Sequence, residues 1–304
     1  HETRAVATPA EIHRMDLGEA IVILGSSGVP NVREFNWFES PDQGAFDEAL
    51  RRLRMLNALD KDESLTNDGR LMGMLPVPPR FGRILLEAAR EGCPRFFALL
   101  IALTQSKPLF PTRKKHSDHL MPVDFSRAGD VSDFQPLLRA WSQMQQNQFR
   151  RDLGDRLGIH AGAARDISRI ADQLVRISAR WGVDTHEIDE PEPDTLGKIL
   201  LSGFPDRVAL RHNASTLSCA VIGGRRGQLE RESVAASKDA RLFLVGEMIE
   251  IEGKDLSVKL DLCTLIREEW LRERFPQDFV ERDGAVYDET NRKVEARREK
   301  RFGD

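Results

Sequence analysis

The sequence predicts an α+β, multidomain protein in which helical modules come first and a small β-barrel comes last. Three observations carry that reading. At 304 residues the chain exceeds one ordinary core, and a prior of about 150 residues per domain gives two domains, with three small ones allowed. Apolar spacing is mostly helical before residue 182 and gives way to short alternating runs rich in Val, Leu and Ile after about residue 195. Between them, Gly182–Asp194 gathers Glu187, Asp189, Glu190, Glu192 and Asp194 around Pro191 and Pro193. Proline removes backbone donors and like charges repel, so this stretch reads as a linker.

Taken in order, Pro9-Ala10-Glu11 opens a first helix with Ile12, Met15, Ala20, Ile23 and Leu24 as its apolar residues, closed by the punctuation of Gly25–Pro30. A second helix runs from Pro41 to about Asn57, with Phe46, Leu50, Leu53 and Leu56 on one stripe. Two short extended pieces, Ala58–Leu59 and Ser64–Thr66, flank the polar turn Asp60–Glu63, and a short helix covers Asp68–Leu75. Helices followed by a tiny hairpin are the order of a winged-helix domain. Pro79–Trp181 is helical again apart from the loop Lys107–Asp124. Beyond the linker, strands are expected at Arg207–Arg211, Thr216–Ile222, Gln228–Glu232, Arg241–Glu250 and Leu256–Leu262. A helix at Thr264–Arg274 and strands at Phe279–Tyr287 and Lys293–Phe302 complete the chain. Short strands with one intervening helix suit a closed barrel of the oligonucleotide-binding type. The expected domains are therefore 1–77, 78–183 and 195–304, with 184–194 as linker. Cutting within Glu187–Asp194 should leave two independently folded pieces.

Composition narrows the function. Hydrophobic residues at 40% with charged residues at 31% describe a soluble globular chain. Its longest apolar runs, around Ile21–Leu24 and Phe96–Leu103, fall far short of the roughly 20 residues a membrane span needs. Cys93, Cys219 and Cys263 are odd in number and far apart, which fits a reducing compartment and a cytoplasmic location. A net charge of −4 excludes coating of nucleic acid by bulk charge. The chain starts at His1, with its first Met at Met15, and reads as part of a longer protein.

Catalytic signatures are scarce. Gly197-Lys198 and Gly253-Lys254 lack the preceding glycine of a phosphate-cradling loop, so no nucleotide hydrolysis is expected from this chain alone, and no cofactor. His116 and His119, with Asp118 between them, could hold a metal only if a third ligand converged; solvated loop residues are the plainer reading, and no metal site is expected.

Arg165–Trp181 is more informative. At 100° per residue, Ile167, Ile170, Leu174, Ile177 and Trp181 share one face, while Arg165, Arg169, Arg176 and Arg180 lie within about 60° of one another opposite it. Those arginines extend over roughly 22 Å, enough to follow several phosphates of a single strand. Asp172 interrupts them. From the residues alone, a solvated face and a nucleic-acid groove both stay open. Arg225-Arg226 at a hairpin tip, Arg113-Lys114-Lys115 and the basic run Arg292–Arg301 are further clusters, and each is more often plain surface. Tyr287 is the one tyrosine, so platforms for reading bases are few.

The order of certain runs is itself informative: Pro9-Ala-Glu-Ile-His-Arg-Met-Asp-Leu, Phe35-Asn-Trp-Phe-Glu-Ser-Pro, the leucine-rich Ala49–Asp60, and Leu65-Thr-Asn-Asp-Gly-Arg-Leu-Met-Gly-Met-Leu-Pro-Val-Pro-Pro-Arg. They resemble the region that follows the two motor domains of DEAH-box ATP-dependent helicases. Ala128–Trp141 is similar to that family's GDHLTLL run, and Ala164-Arg-Asp-Ile stands where the family opens its long ratchet helix. Phe204-Pro-Asp-Arg-Val-Ala-Leu-Arg and Val286–Gly303 are most similar to the bacterial HrpB branch. The chain departs from the pattern at Asn57, where the family usually has glycine, and at Asn67-Asp68.

The resemblance implies a winged helix (1–77), a helical ratchet domain (78–183) and an OB-like barrel (195–304). It implies that ATP and magnesium belong to motor domains absent from this sequence. It also implies a role in gripping and guiding a single strand, RNA in that family, while the sequence itself leaves RNA and DNA both open. The candidate strand-binding residues are Arg165, Arg169, Arg176 and Arg180 on the helix, with Arg225 and Arg226 at the hairpin tip. The implied partners are the strand and the motor domains, with no membrane. An interaction module that recruits a protein through the barrel is the alternative.

Overall fold

The computed structural model describes residues 16–110, 120–181, 190–213, 215–237, 240–251, 257–288 and 293–303. It divides into two compact units, 1–124 with 137–192 and 125–136 with 193–304.

The first unit is helical. Helix α1 (Leu17–Ser26) begins where the Asp16 carboxylate accepts the Gly18 N–H at 2.9 Å. The extended backbone of Asp16 marks the start of α1, and Pro9, Ala10 and Glu11, the expected opening, lie outside the described residues. Leu17, Ile21 and Val22 are its buried residues, and Ile23, expected on the apolar stripe, is 52% exposed. Ile12 and Met15 lie outside the described residues. Helix α2 (Gln43–Met55), capped by Asp42, buries Phe46, Leu50 and Leu53 as its spacing predicts. Leu56 follows, and the four pack with Ile21 and Met72 into one core.

Asn57, where the resemblance expects glycine, sits in the left-handed region at φ 55°. Asparagine tolerates that region better than most residues. Its amide also donates to Asp68 at 3.1 Å. Leu59 and Leu65 then pair as a single antiparallel bridge around Asp60, whose carboxylate accepts the Asp62 and Ser64 N–H groups. Thr66 caps α3 (Asn67–Gly73). Helices α4 (Pro79–Arg90) and α5 (Pro94–Gln105) each start on proline, which lacks only a donor the first turn would leave unpaired. Helices α6 (Phe134–Gln146, of which residues from 137 on belong to this unit), α7 (Arg151–Leu157) and α8 (Ala161–Ser178) follow.

The second unit opens with a helix that the sequence reading missed, α9 (Pro193–Gly203). Pro193 and Asp194 suggest a breaker, yet proline at the first turn and an acidic residue near the positive helix end both favour a helix start. The stretch expected as linker to residue 194 therefore ends at Glu192, and its residues 184–189 lie outside the described set. Strands β1 (Val208–Arg211), β2 (Ser218–Val221), β3 (Arg225–Leu229), β4 (Leu242–Ile251) and β5 (Ser257–Leu265) close a barrel in the order β1-β2-β3-β5-β4. All neighbours are antiparallel except β3 and β5. Alternation sends Ala209, Cys219, Val221, Leu229, Phe243, Val245 and Cys263 inward, and Leu260, three positions before Cys263, also reaches the core because the alternation is interrupted at Leu262, whose φ is 54°. Gly227 stands where a Cβ would come within 2.5 Å of Leu260, so the closure of β3 on β5 requires glycine. Helix α10 spans Glu268–Arg274, starting later than expected because β5 continues to Leu265. A separate two-stranded sheet, β6 (Phe279–Asp288) and β7 (Lys293–Phe302), ends the chain.

One segment overturns the expected boundary. Residues 125–136 precede the linker by some 50 positions in sequence, yet they belong to the barrel unit. Ser132 bridges Thr264 in β5, with their hydroxyls 2.7 Å apart, and the Leu265 N–H donates to the Val131 carbonyl at 2.8 Å. The Asp133 carboxylate accepts from the Val234 N–H, the Ser233 hydroxyl and the Cys263 N–H, each at 2.8 Å. Burial pushes its carboxyl up to about 6 against the pull of those three bonds. A cut in the linker would thus strip the barrel of a piece that satisfies its own polar groups, so independent folding of the downstream piece no longer follows.

Candidate nucleic-acid interface

Helix α8 is built to turn one face outward. The His160 ring accepts the Ala163 N–H at its start, at 3.0 Å. Ala163, Ala164, Ile167, Ala171, Leu174, Val175 and Ser178 are buried. The small residues let α5 approach closely, and the Trp141 indole N–H reaches the Ala164 carbonyl at 3.0 Å. Ile170 and Ile177, expected at the centre of the packed face, lie at its margins and are only half-buried. Trp181 packs partly against the core around α1 and α2.

The opposite face holds Arg165, Arg169 and Arg176, all exposed. Arg180 is exposed too, but it lies in the 3₁₀ turn Ala179–Trp181 that follows the helix, so the 100° spacing does not extend to it. The three guanidiniums on α8 itself are each engaged. Arg165 donates to the Phe149 carbonyl at 2.8 Å and Arg169 pairs with Asp166. Arg176 donates to the Asp172 carbonyl at 3.2 Å. Asp172 is itself held by Arg95 of α5 at 3.0 Å. Arg169, Asp172, Gln173 and Arg176 line one open surface depression. These exposed contacts are weak, on the order of 0–1 kcal/mol each, and a phosphate can displace them. Arg95 and Gln173 escaped the sequence reading: Arg95 stands 77 positions before Asp172, and no spacing rule links the two.

In the barrel, Arg225 and Arg226 do not act together. Gly223 and Gly224 turn the chain with φ of 77° and 70°, and both arginines lie at the start of β3 rather than in the turn itself. Alternation sends them to opposite faces. Arg225 donates to the Ile222 and Asp206 carbonyls, at 3.2 and 3.0 Å, and so ties the turn to the segment before β1. Arg226 lies exposed, paired across the sheet with Ala220, near Leu210 in β1.

Among the described residues no group of three or more His, Cys, Asp and Glu could hold a metal ion. His116, Asp118, His119, Arg113, Lys114, Lys115 and Arg292 lie outside the described residues. No helix of the described chain is long and apolar enough to cross a membrane.

Residues 49–77, from the end of α2 through α3, match the family described as helicase associated domain (HA2), winged-helix. The chain is 24% identical over 276 residues to the probable ATP-dependent RNA helicase DHX35 of Homo sapiens, covering 90% of this chain and 38% of that protein. It is 29% identical over 160 residues to the ATP-dependent RNA helicase HrpA of Escherichia coli, covering 48% of this chain and 12% of the relative. The crystal structure of the E. coli DExH-box NTPase HrpB matches 99% of this chain and 31% of its own, with a TM-score of 0.64 at 19% identity, a likeness of fold.

Proposed function

This chain carries the helicase-associated region of the DEAH-box helicases, and on that premise we propose that it grips and guides a single nucleic-acid strand, RNA in kind. ATP and magnesium belong, on this reading, to motor domains outside the sequence, which hydrolyse the nucleotide and are the chain's constant partners. The observation that carries the proposal is the exposed row Arg165, Arg169 and Arg176 on a helix whose other face is buried. A row of guanidiniums tracks phosphates without reading bases, which is what a strand moving in steps requires.

Changing Arg169 and Arg176 together to Glu tests it. Weaker binding of single strands of any sequence is expected, with a salt slope shallower by about 0.7 for each lost phosphate contact and an unchanged melting temperature. Unchanged affinity and slope would reduce the row to a solvated face. For the barrel, a second reading stands beside this one. It is recruitment of a protein, for which a surface would need apolar residues gathered in one patch; Leu210, 44% exposed, and Ile249, 37% exposed, are the barrel's candidates for it.

A further inference from the structure

Asp172 is the odd residue of the α8 row. An ionised carboxylate among arginines repels phosphate and so weakens a site whose purpose is to hold a phosphate chain. One neighbour nonetheless orients it. Arg95 reaches up from α5 to hold Oδ1 at 3.0 Å, while among the described residues no donor reaches Oδ2. The side chain is 52% exposed, in the depression shared with Arg169, Gln173 and Arg176. Along the helix axis it stands between those arginines, on the order of 5 Å from each at about 1.5 Å per residue.

The structure therefore presents one oriented, unpartnered acceptor between two cationic donors. Hydrogen-bond donors are what an ionised carboxylate favours over a neutral group. A strand offers two kinds of donor, base amino groups and sugar hydroxyls. Amino groups change with sequence, whereas in RNA a 2′-hydroxyl accompanies every phosphate. We propose that Asp172 is a specificity-determining residue that accepts a hydrogen bond from a ribose 2′-hydroxyl, so that the α8 groove prefers ribose to deoxyribose strands. Arg95 is its positioning residue. The proposal rests on the reading of α8 as a strand interface and adds the basis on which sugars are told apart.

The test uses the full chain and labelled 12-nucleotide oligouridine as RNA, as the 2′-deoxy strand and as the 2′-O-methyl strand. Wild type should bind the RNA about fivefold more tightly than either of the others, the worth of one exposed charge-assisted bond. Asp172→Ala should bring that ratio close to one, with deoxy-strand affinity unchanged or higher, and Arg95→Ala should lower the ratio part of the way. Arg169→Gln should weaken all three strands alike and keep the ratio. If Asp172→Ala strengthens every strand equally and the ratio persists, Asp172 only moderates charge and the proposal is wrong. If wild type binds strands well but without preference, this inference fails while the strand-gripping role stands. If it binds no strand at all, that role fails first.

Discussion

Helix α8 and strand β3 both carry arginines, and they treat sequence spacing in opposite ways. On α8, residues 165, 169 and 176 are separated by one or two turns and collect on one exposed face. On β3, Arg225 and Arg226 are adjacent in sequence and end on opposite faces, one spent on backbone carbonyls and the other outward. Both side chains are exposed, but only Arg225 is tied to backbone carbonyls. A basic row at helical spacing is a surface.

The largest effect that sharpens this contrast comes from the barrel's own polar framework. Asp133→Ala leaves the Val234 and Cys263 N–H groups without their acceptor. It should cost about 3 kcal/mol of stability in urea unfolding of the full chain, whereas charge reversal on α8 should cost almost none. A fully stable variant would mean that segment 125–136 is not part of the barrel's structure.

The pH dependence of the same group comes next. With the folded carboxyl pushed up to about 6 from an ordinary 3.8, the native state holds the proton more tightly than the unfolded chain does. Its stabilising contribution is therefore full below pH 4 and is lost as pH rises through 6, by at most about 3 kcal/mol. Unfolding midpoints of wild type and Asp133→Asn at pH 4.5 and 7 should show a fall in wild type that the variant lacks. An equal fall in both would assign it to other groups.

A smaller effect separates the two barrel arginines. Arg225→Ala should lower stability by about 1 kcal/mol and leave strand affinity alone, while Arg226→Ala should leave stability unchanged. If the two variants behave alike, alternation does not govern the pair and the contrast with α8 breaks.

Much of this was legible from local pattern. The stripe Phe46, Leu50, Leu53, Leu56 and the alternation of the barrel strands follow from periods that every residue in an element repeats. The face of α1 was misjudged because its apolar residues are nearly continuous from Ala20 to Leu24, so periodicity there gives no single direction. Helix α9 was missed because proline and acidic residues serve equally as breakers and as first-turn residues. In the candidate site the exposed arginines were readable from the wheel, whereas the Arg95–Asp172 pair was not, since it joins two helices far apart in sequence.

By itself the sequence determined the exposed arginine face of α8, the order of helical and β parts, and the resemblance to helicase-associated regions. Those properties are local or additive along the chain. Only the tertiary structure decided that Arg225 is tied to carbonyls, that residues 125–136 complete the barrel, and that Asp172 is held by Arg95 with one oxygen open. Each depends on a polar group finding its partner across a long stretch of chain. Such pairing is set by the need to satisfy buried or oriented donors and acceptors, a requirement that carries no period in sequence.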